Sequence, residues 1–496
     1  MIEMNTGKLL VKKYFEENSI VQANIRSFDE FIENELPLII EENREIEPTI
    51  IPSSVDEFKI RLSNIVVSKP EITEADGSKR NILPVEARLR KITYSAPIFI
   101  EVSSVINGVQ RESFRTQIGN MPIMLKSKYC HLSGLSRDEL VKAGEDADDP
   151  GGYFIINGTE KVIITIEDLA SNKLMIEKTT LGVSEYQGRL FSEQGSYKIP
   201  HTIEKMKDGL YYLSFTRVKR IPVVAIIKAL GLIKDEEIMR FIDLPDDSGV
   251  YINLLEFVDI KTQEDALDYV AKRVGITQSK EIRLERITEI LDKYLLPHLG
   301  IQEKDRLYKA YNICKILKRF VIFTASDEIK DDKDHYMNKR LKMSGDLLAD
   351  LFRVNLKVLI GDLLYNFQRI VKRGKFPSIK VIIREKLLTQ RMYSSMATGN
   401  WVGGRKGISQ RIERLNFLQT LSHLQRIVSP LSTSQENFEA RALHATHLGR
   451  LCPNETPEGT NIGLRKNLSL LASVTPTINE EEVLVELKKL GLETIR

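Results

Sequence analysis

The sequence predicts a mixed α and β protein of several domains, and three observations carry that reading. At 496 residues the chain is far past the size at which one hydrophobic core stops growing, so length alone suggests roughly three domains. Apolar and β-branched residues alternate in FKIRLSNIVVSKPEI from residue 58 and RLRKITYSAPIFIEVSSVI from residue 88, whereas HYMNKRLKMSGDLLADLFRVNLKVLIGDLLYNFQRIV, residues 335–371, carries the longest helical pattern in the chain. Between these, from about 176 to 325, short alternating segments give way to helices rich in Glu, Lys and Ile, the texture of a separate, inserted domain.

In chain order, LLVKKYFEEN and FDEFIENELPLIIEEN place apolar residues three and four apart and read as helices, with Ser27 or Asp29 available as an N-cap. The β-rich section follows, punctuated by Asp76-Gly77 and Asn107-Gly108 as hairpin turns are. The run DADDPGGYFIINGTEKVIITIEDLASN from residue 146 reads as a turn, a strand, a second turn at Asn157-Gly158 and another strand; its acids suit a solvated loop better than a cation site. The inserted segment contains LYYLSFTRVKRIPVVAIIKALGL from residue 210. The pattern of 335–371 breaks only near Ser344-Gly345, and Gly374 and Pro377 end it. No repeat and no low-complexity tract appears.

Composition narrows the class. With 42% hydrophobic and 28% charged residues, and no apolar run near the roughly 20 residues that span a bilayer, the expectation is a protein without membrane segments. The N-terminus lacks the pattern of a secretory signal, which predicts a cytoplasmic location. Cys130, Cys314 and Cys452 are too few and scattered for a disulfide framework or a four-cysteine zinc module. The net charge of +3 hides segregation: residues 29–57 hold ten acidic side chains against Arg44 alone, and residues 384–426 hold eight Lys/Arg against Glu385 and Glu413.

Phosphate-binding glycine signatures are missing, which disfavours a self-contained nucleotide fold. Asp331, Asp332, Asp334 and His335 are metal-ligand types, and an independent metal hydrolase built on them is one reading; acids at the start of a long helix, complementing its dipole, are the other. For His444, His447 and Cys452, a zinc site and a nucleophile with its base both lack the accompanying motif. Around them Pro453, Pro457, Gly459 and Gly463 bend a loop that displays Asn454, Glu455, Glu458 and Asn461. Upstream, Gly403, Gly404 and Gly407 permit close backbone approach, with Arg405 and Lys406 at the loop tip. A following helix is expected to carry Arg411, Arg414 and Arg426 with Gln410 and His423. Arginines and amides with few competing acids suit phosphates and base edges, and a solvated helix is the alternative.

The strings ATGNW, GISQ, RLNFLQTLSHLQRIVSPL and ARALHATHLGRLCPNETPEGTNIGLRKNLSLLASV closely resemble the fork region of the second-largest subunit of multisubunit RNA polymerases. GGYFIINGTEKVIITIEDLASN, DDKDHYMNKRLKMSGDLLADLF and IVQANIRSFDEFI resemble the same subunit in the same order, so the anchors run from near residue 20 to about 475. The wording is similar to archaeal and eukaryotic rather than bacterial forms. A chain that stops soon after the fork resembles the archaeal arrangement in which the subunit is split in two, this being the N-terminal part.

The resemblance implies a protrusion domain from 1–175 and 326–385, a lobe inserted at 176–325, a fork at 386–475, and at 476–496 the start of a region continued by a separate chain. It implies a subunit of DNA-directed RNA polymerase, a nucleotidyltransferase, that helps form the active-centre cleft. Gln410 and Arg426 would line the RNA path, Glu458 and Asn461 would lie near the RNA 3′ end and incoming nucleotide with Arg450 nearby, and Arg405 and Lys406 would sit at the fork tip. Arg411 and Arg414 are expected as weaker phosphate contacts. No catalytic residue and no metal or cofactor is expected on this chain, since the magnesium-binding aspartates of the family lie on the largest subunit. His444, His447 and Cys452 would then hold the loop rather than a metal. Implied partners are the C-terminal half of the subunit, the largest and other polymerase subunits, DNA template, nascent RNA, NTPs and general transcription factors. A stand-alone nucleic-acid-binding or assembly module reusing the fold is the alternative.

Overall fold

A computed structural model describes residues 2–51, 55–179, 184–195, 197–216, 218–244, 249–325, 331–375, 378–475 and 480–492. Pro377 lies outside them. The chain forms two compact units, one made of residues 1–168 and 341–496, the other of the intervening Leu169–Arg340. The expected lobe limits, 176 and 325, fall inside the second unit.

In the first unit, strands Phe58–Val67, Ser95–Ile106 and Val109–Pro122 form an antiparallel sheet extended by Glu45–Ile46. The hairpin between the two longest strands closes at Asn107-Gly108, both with positive φ, which matches the right-handed twist of the strands it joins. Asn157-Gly158 closes the next hairpin in the same way. The helix Ser344–Val371 packs against the helices Gln22–Glu30 and Glu385–Thr398, and its Leu347, Leu351, Phe352, Leu356, Leu359, Leu363 and Phe367 are buried at helical spacing. Phe367 stacks on Phe58 with centroids 4.8 Å apart, and each such buried ring contributes about 1.5–3 kcal/mol through the hydrophobic effect. Gly345 is obligatory: a Cβ there would stand 2.0 Å from the Ser27 carbonyl oxygen.

Local expectations fail where partners far along the chain outcompete short-range signals. Helix Gln22–Glu30 runs through one π turn, Phe31–Glu35, into Leu36–Glu42, so Ser27 and Asp29 lie inside the helical stretch and cap nothing. Ser27 Oγ accepts Gly345 N–H at 3.1 Å, and Asp29 accepts Lys128 N–H at 3.1 Å. Burial raises Asp29 to about 6. The pattern of 335–371 is helical only from Ser344; before it come the 3₁₀ turn Tyr336–Asn338 and the strand Lys339–Lys342. Asp331, Asp332 and Asp334 therefore do not open a helix. Asp331 accepts Ile176 N–H (2.9 Å) and pairs with Arg319 (2.8 Å), Asp332 accepts Asp334 N–H (2.9 Å), and Asp334 pairs with Lys339 (3.3 Å).

The second unit is a five-stranded antiparallel meander, Leu174–Lys178, Tyr186–Gln194, Tyr197–Lys205, Tyr211–Phe215 and Val218–Pro222, followed by helices with their own apolar core. Helix Val223–Ala229 is buried along its whole length, including Lys228, whose ammonium is satisfied by the Phe257 carbonyl (2.9 Å) and Asp235 (2.9 Å). A Cβ on Gly188 would approach Ile203 to 2.5 Å, so glycine sets the spacing of two strands. Among the described residues, no helix is long and apolar enough to cross a membrane.

His201 is buried in this unit and stacks on Phe215 at 5.5 Å; its Nε2 accepts Leu296 N–H (3.1 Å) and its Nδ1 donates to the Ile199 carbonyl (3.0 Å). Burial pushes its pKa down to about 4. The unfolded imidazole titrates near 6.5, so the unfolded chain binds the extra proton between these values. The stabilisation is complete above pH 6.5 and is lost as pH falls toward 4. Denaturant titrations from pH 7 to 4.5 are expected to show a loss of about 2–3 kcal/mol from this group, and His201→Asn, which cannot titrate, should flatten the profile by that amount; an unchanged profile would exclude His201 as its source.

Candidate nucleic-acid interface

Residues 399–467 reach their positions by adding strands to one earlier segment. Ser409–Arg411 pairs antiparallel with Thr159–Ile163, register Gln410 to Val162, with Ile164 N–H donating to the Ile408 carbonyl (2.9 Å) and Ile412 N–H to Glu160 O (3.1 Å). Arg426–Val428 lies parallel to Thr165–Leu169 and antiparallel to Arg465–Asn467, so it occupies the middle of three strands. Across it, Lys466 Nζ meets Glu167 at 3.0 and 3.2 Å, both side chains buried. Trp401 anchors the start of the segment by donating from Nε1 to the Leu347 carbonyl of the long helix (2.8 Å).

The expected helix bearing Gln410, Arg411, Arg414 and Arg426 is not present. Only Phe417–Leu424 is helical, started by Asn416, whose side chain accepts Gln419 N–H at 2.8 Å. Gln410 and Arg411 are on one strand, Arg426 on another, and Arg414 is in the loop between. Strand pairing with Thr159–Ile163 removes the first residues from any helix, and the Asn416 cap fixes where the helix can begin.

Acids distant in sequence meet these arginines. Arg414 binds Glu160 and Asp149 (2.9 Å) and lies over the Tyr153 ring at 5.1 Å. Arg88 binds the other oxygen of Glu160 (2.9 Å), Glu145 (2.8 Å) and the Tyr153 hydroxyl (2.9 Å), closing a network in which Tyr153 donates to Asp149 (3.0 Å). Asp149, expected in a solvated loop, is thus drawn into an ion-pair network. Arg405 is paired with Asp168 and only half-exposed, while Lys406 and Arg411 are exposed. Gly403, Gly404 and Gly407 have open space where a Cβ would stand; they answer to positive φ, not to close approach by another part of the chain.

Gln410 and Arg426 are brought together through His423 and Glu413. Arg426 holds the two Glu413 oxygens at 3.3 and 3.4 Å, and this contact is the leading cause that lowers the Glu413 pKa. His423, 1% exposed, accepts Glu413 N–H at Nδ1 (3.1 Å) and donates from Nε2 to the Gln410 side-chain oxygen Oε1 (3.3 Å). Burial, with the Arg426 charge adding to it, pushes His423 down to about 4, so it is neutral at physiological pH. The Gln410 amide then donates to the Gly407 carbonyl (2.9 Å).

The second loop is held by backbone capture. Arg441, which sequence reasoning passed over, donates to the carbonyls of Thr460 (2.7 Å), Ile462 (3.1 Å), Thr433 (3.1 Å) and Gln435 (3.4 Å). A Cβ on Gly463 would stand 2.2 Å from the Arg441 carbonyl oxygen, which explains the glycine. Glu458 precedes and Asn461 ends the short 3₁₀ turn Gly459–Asn461, with Glu458 exposed; Arg450 is exposed and donates to the Thr446 carbonyl (3.1 Å). Ser422 donates to Glu455, tying the helix to this loop. His444 Nδ1 accepts Thr446 N–H (3.2 Å), and Cys452 N–H donates to the Asn467 carbonyl (2.9 Å). Among the described residues, no three His, Cys, Asp or Glu side chains are grouped to hold a metal. The arrangement offers cations, amides and carboxylates at fixed positions rather than a nucleophile with its base.

The Glu167–Lys466 pair gives a test of how this region is held. Glu167→Ala is expected to cost about 3–5 kcal/mol, because it takes a buried carboxylate away from the Lys466 ammonium, whereas Glu167→Leu with Lys466→Met should recover most of it. A double-mutant cycle by chemical denaturation checks this; additive losses would mean that the two side chains are stabilised separately.

Residues 19–390 match the family described as RNA polymerase beta subunit, and residues 410–474 match RNA polymerase Rpb2, domain 3. The chain is 42% identical over 487 residues to DNA-directed RNA polymerase subunit Rpo2 of Saccharolobus solfataricus, covering 97% of this chain and 43% of that one. It is 41% identical to subunit Rpo2N of Methanococcus vannielii, covering 98% of this chain and 99% of the relative, and 42% identical to Rpo2N of Methanocaldococcus jannaschii, covering 97% and 98%. The chain therefore spans less than half of the Saccharolobus subunit and nearly all of the two Rpo2N subunits. Two family matches in chain order, together reaching from residue 19 to residue 474, show that the chain belongs to the RNA polymerase beta subunit family.

Proposed function

We propose that this chain works as a subunit of a DNA-directed RNA polymerase in the cytoplasm, forming part of the active-centre cleft and positioning DNA, the RNA 3′ end and the incoming NTP. The observation that carries the reading is the Arg426–Glu413 contact. At 3.3–3.4 Å, with Glu413 41% exposed at its side chain, it is a loose ion pair that an RNA phosphate can replace. His423 fixes the Gln410 amide beside it, and the Arg441-held turn presents Glu458 and Asn461. Arg450, Lys406 and Arg411 remain exposed for phosphate contacts. Arg405 and Arg414 serve instead to fasten the fork to Asp168, Asp149 and Glu160.

The carboxylates of this region do not fit a two-metal site, since Asp149, Glu160, Asp168, Glu167 and Glu413 are each committed to a cation of the same chain. In this reading Mg2+ is held by the largest subunit, and this chain contributes positioning. Leu415, Phe417, Leu418, Phe438, Leu470 and Leu471 are exposed apolar side chains that the C-terminal half of the subunit would cover. The length relation to the split and unsplit relatives supports that partner. The protrusion (1–175 and 326–385) and the inserted lobe (176–325) would receive other subunits and general transcription factors.

Purification of the tagged chain from its cell is expected to recover a largest subunit and a separate C-terminal half in equal amounts; recovery alone would favour a stand-alone module. In the reconstituted polymerase, Arg426→Ala should slow RNA extension, with a deficit that shrinks as salt rises, since one lost phosphate contact makes the salt dependence shallower by about 0.7. Glu413→Gln should act oppositely, tightening RNA retention roughly two- to fivefold by releasing Arg426. Changes of the same sign in both variants would contradict the exchange.

A further inference from the structure

Residues 369–386 hold seven Lys/Arg against Glu385 alone. Arg369, Lys372, Arg373, Lys375, Lys380 and Lys386 are all exposed, and among the described residues none of these six is in an ion pair with a carboxylate. The seventh, Arg384, is paired with Asp362. This is the opposite of the fork, where Arg405, Arg414 and Arg426 are each clasped by an acid. The negative end of the helix Ser344–Val371 accounts for cations in its last turn, but not for Lys375 beyond Gly374 or for Lys380 and Lys386 on the next two helices. Six uncompensated charges within eighteen residues repel one another, so an anion of high linear charge beside them is favourable.

The cations at the end of the long helix are remote from Trp401 and the loop that it starts. Trp401 is bonded to Leu347, near the N-terminal end of the same helix. At 1.5 Å per residue, Lys372 lies roughly 35–40 Å further along the axis. A single-stranded ligand would call for aromatic platforms. Among the described residues, the exposed aromatic ring here, Tyr365, already carries the Arg369 guanidinium 6.0 Å from its centroid. Long, exposed lysine and arginine side chains suit a regular phosphate backbone.

We infer that the surface formed by Arg369, Lys372, Arg373, Lys375, Lys380 and Lys386 is a second nucleic-acid site, which holds the phosphate backbone of duplex DNA without reading its sequence. The site does not depend on the assignment of the fork residues. The test uses the full chain and a labelled mixed-sequence DNA duplex of about 25 base pairs, long enough to cover one helical turn of contacts on either side, with binding followed by anisotropy across a salt series. The triple variant Lys372→Gln/Arg373→Gln/Lys375→Gln should lose about tenfold or more in affinity at low salt, and the slope of log affinity against log salt should fall by about two to three, or 0.9 per phosphate released. Its thermal midpoint should not move, because the three side chains are exposed. The control variant Lys280→Gln/Lys304→Gln, at two exposed cations of the inserted unit, should leave duplex binding unchanged. Equal affinity and slope for the triple variant and the parent chain would overturn the proposal, as would an equal loss of binding to polyglutamate, which would identify an acidic protein segment as the occupant.

Discussion

The position of every residue after Gly399 that bears on function depends on backbone pairing to one short segment, Thr159–Leu169. This segment receives Ser409–Arg411 along one half and Arg426–Val428 along the other. A strand offers a row of unpaired donors and acceptors, and leaving them buried and unmatched is costly, so the pairing is strongly specified. Its register also settles which side chains face the core, since a slip of one residue would turn Gln410 inward and Ser409 outward. The buried Glu167–Lys466 pair reinforces the same choice, because a shifted register would strand two charges.

Electrostatics divides the basic residues into two kinds. Arg88, Arg405 and Arg414 are fasteners, with carboxylates supplied by Glu145, Glu160, Asp149 and Asp168 from segments distant in sequence. Arg426 is intermediate, held at longer distances by a carboxylate that water can reach. Among the described residues, the cations of 369–386 other than Arg384 are in no ion pair with a carboxylate. The distinction lies in the company each side chain keeps, since net charge per segment is similar for the fork and for the patch.

Much of the fold was legible in the sequence because its signals are local. The Asn107-Gly108 and Asn157-Gly158 turns force left-handed φ at both positions, and the alternation around them can form only strands. The helix Ser344–Val371 and the change of texture at the inserted segment were readable for the same reason. What could not be read is the set of acids that neutralise Arg405 and Arg414, because Glu160 and Arg414 are separated by 254 residues and no periodicity links them. Arg441 was passed over because its four acceptors are backbone carbonyls, which leave no mark in side-chain chemistry. The helix expected to carry Gln410, Arg411, Arg414, His423 and Arg426 failed because a long-range strand pairing took its first residues. At the candidate site, the residue types and the bent loop were legible, while the coupling of Gln410 to Arg426 through His423 was not.

The inserted unit has a consequence for the order in which the chain folds. Its two ends are fastened to each other by a backbone bond from Ala170 N–H to the Asn338 carbonyl at 2.8 Å. Residues on either side of the insertion must find one another for the first unit to form, and the entropy cost of closing so long a loop grows with the logarithm of its length. Once Leu169–Arg340 has folded, that loop is already closed, and the chain leaving at Leu341 starts beside the chain that entered. The insertion then shortens the search, in effect lowering the contact order of the fold that surrounds it. Ribosomal synthesis delivers the elements in the helpful sequence, with Leu169–Arg340 complete before the long helix and the fork emerge.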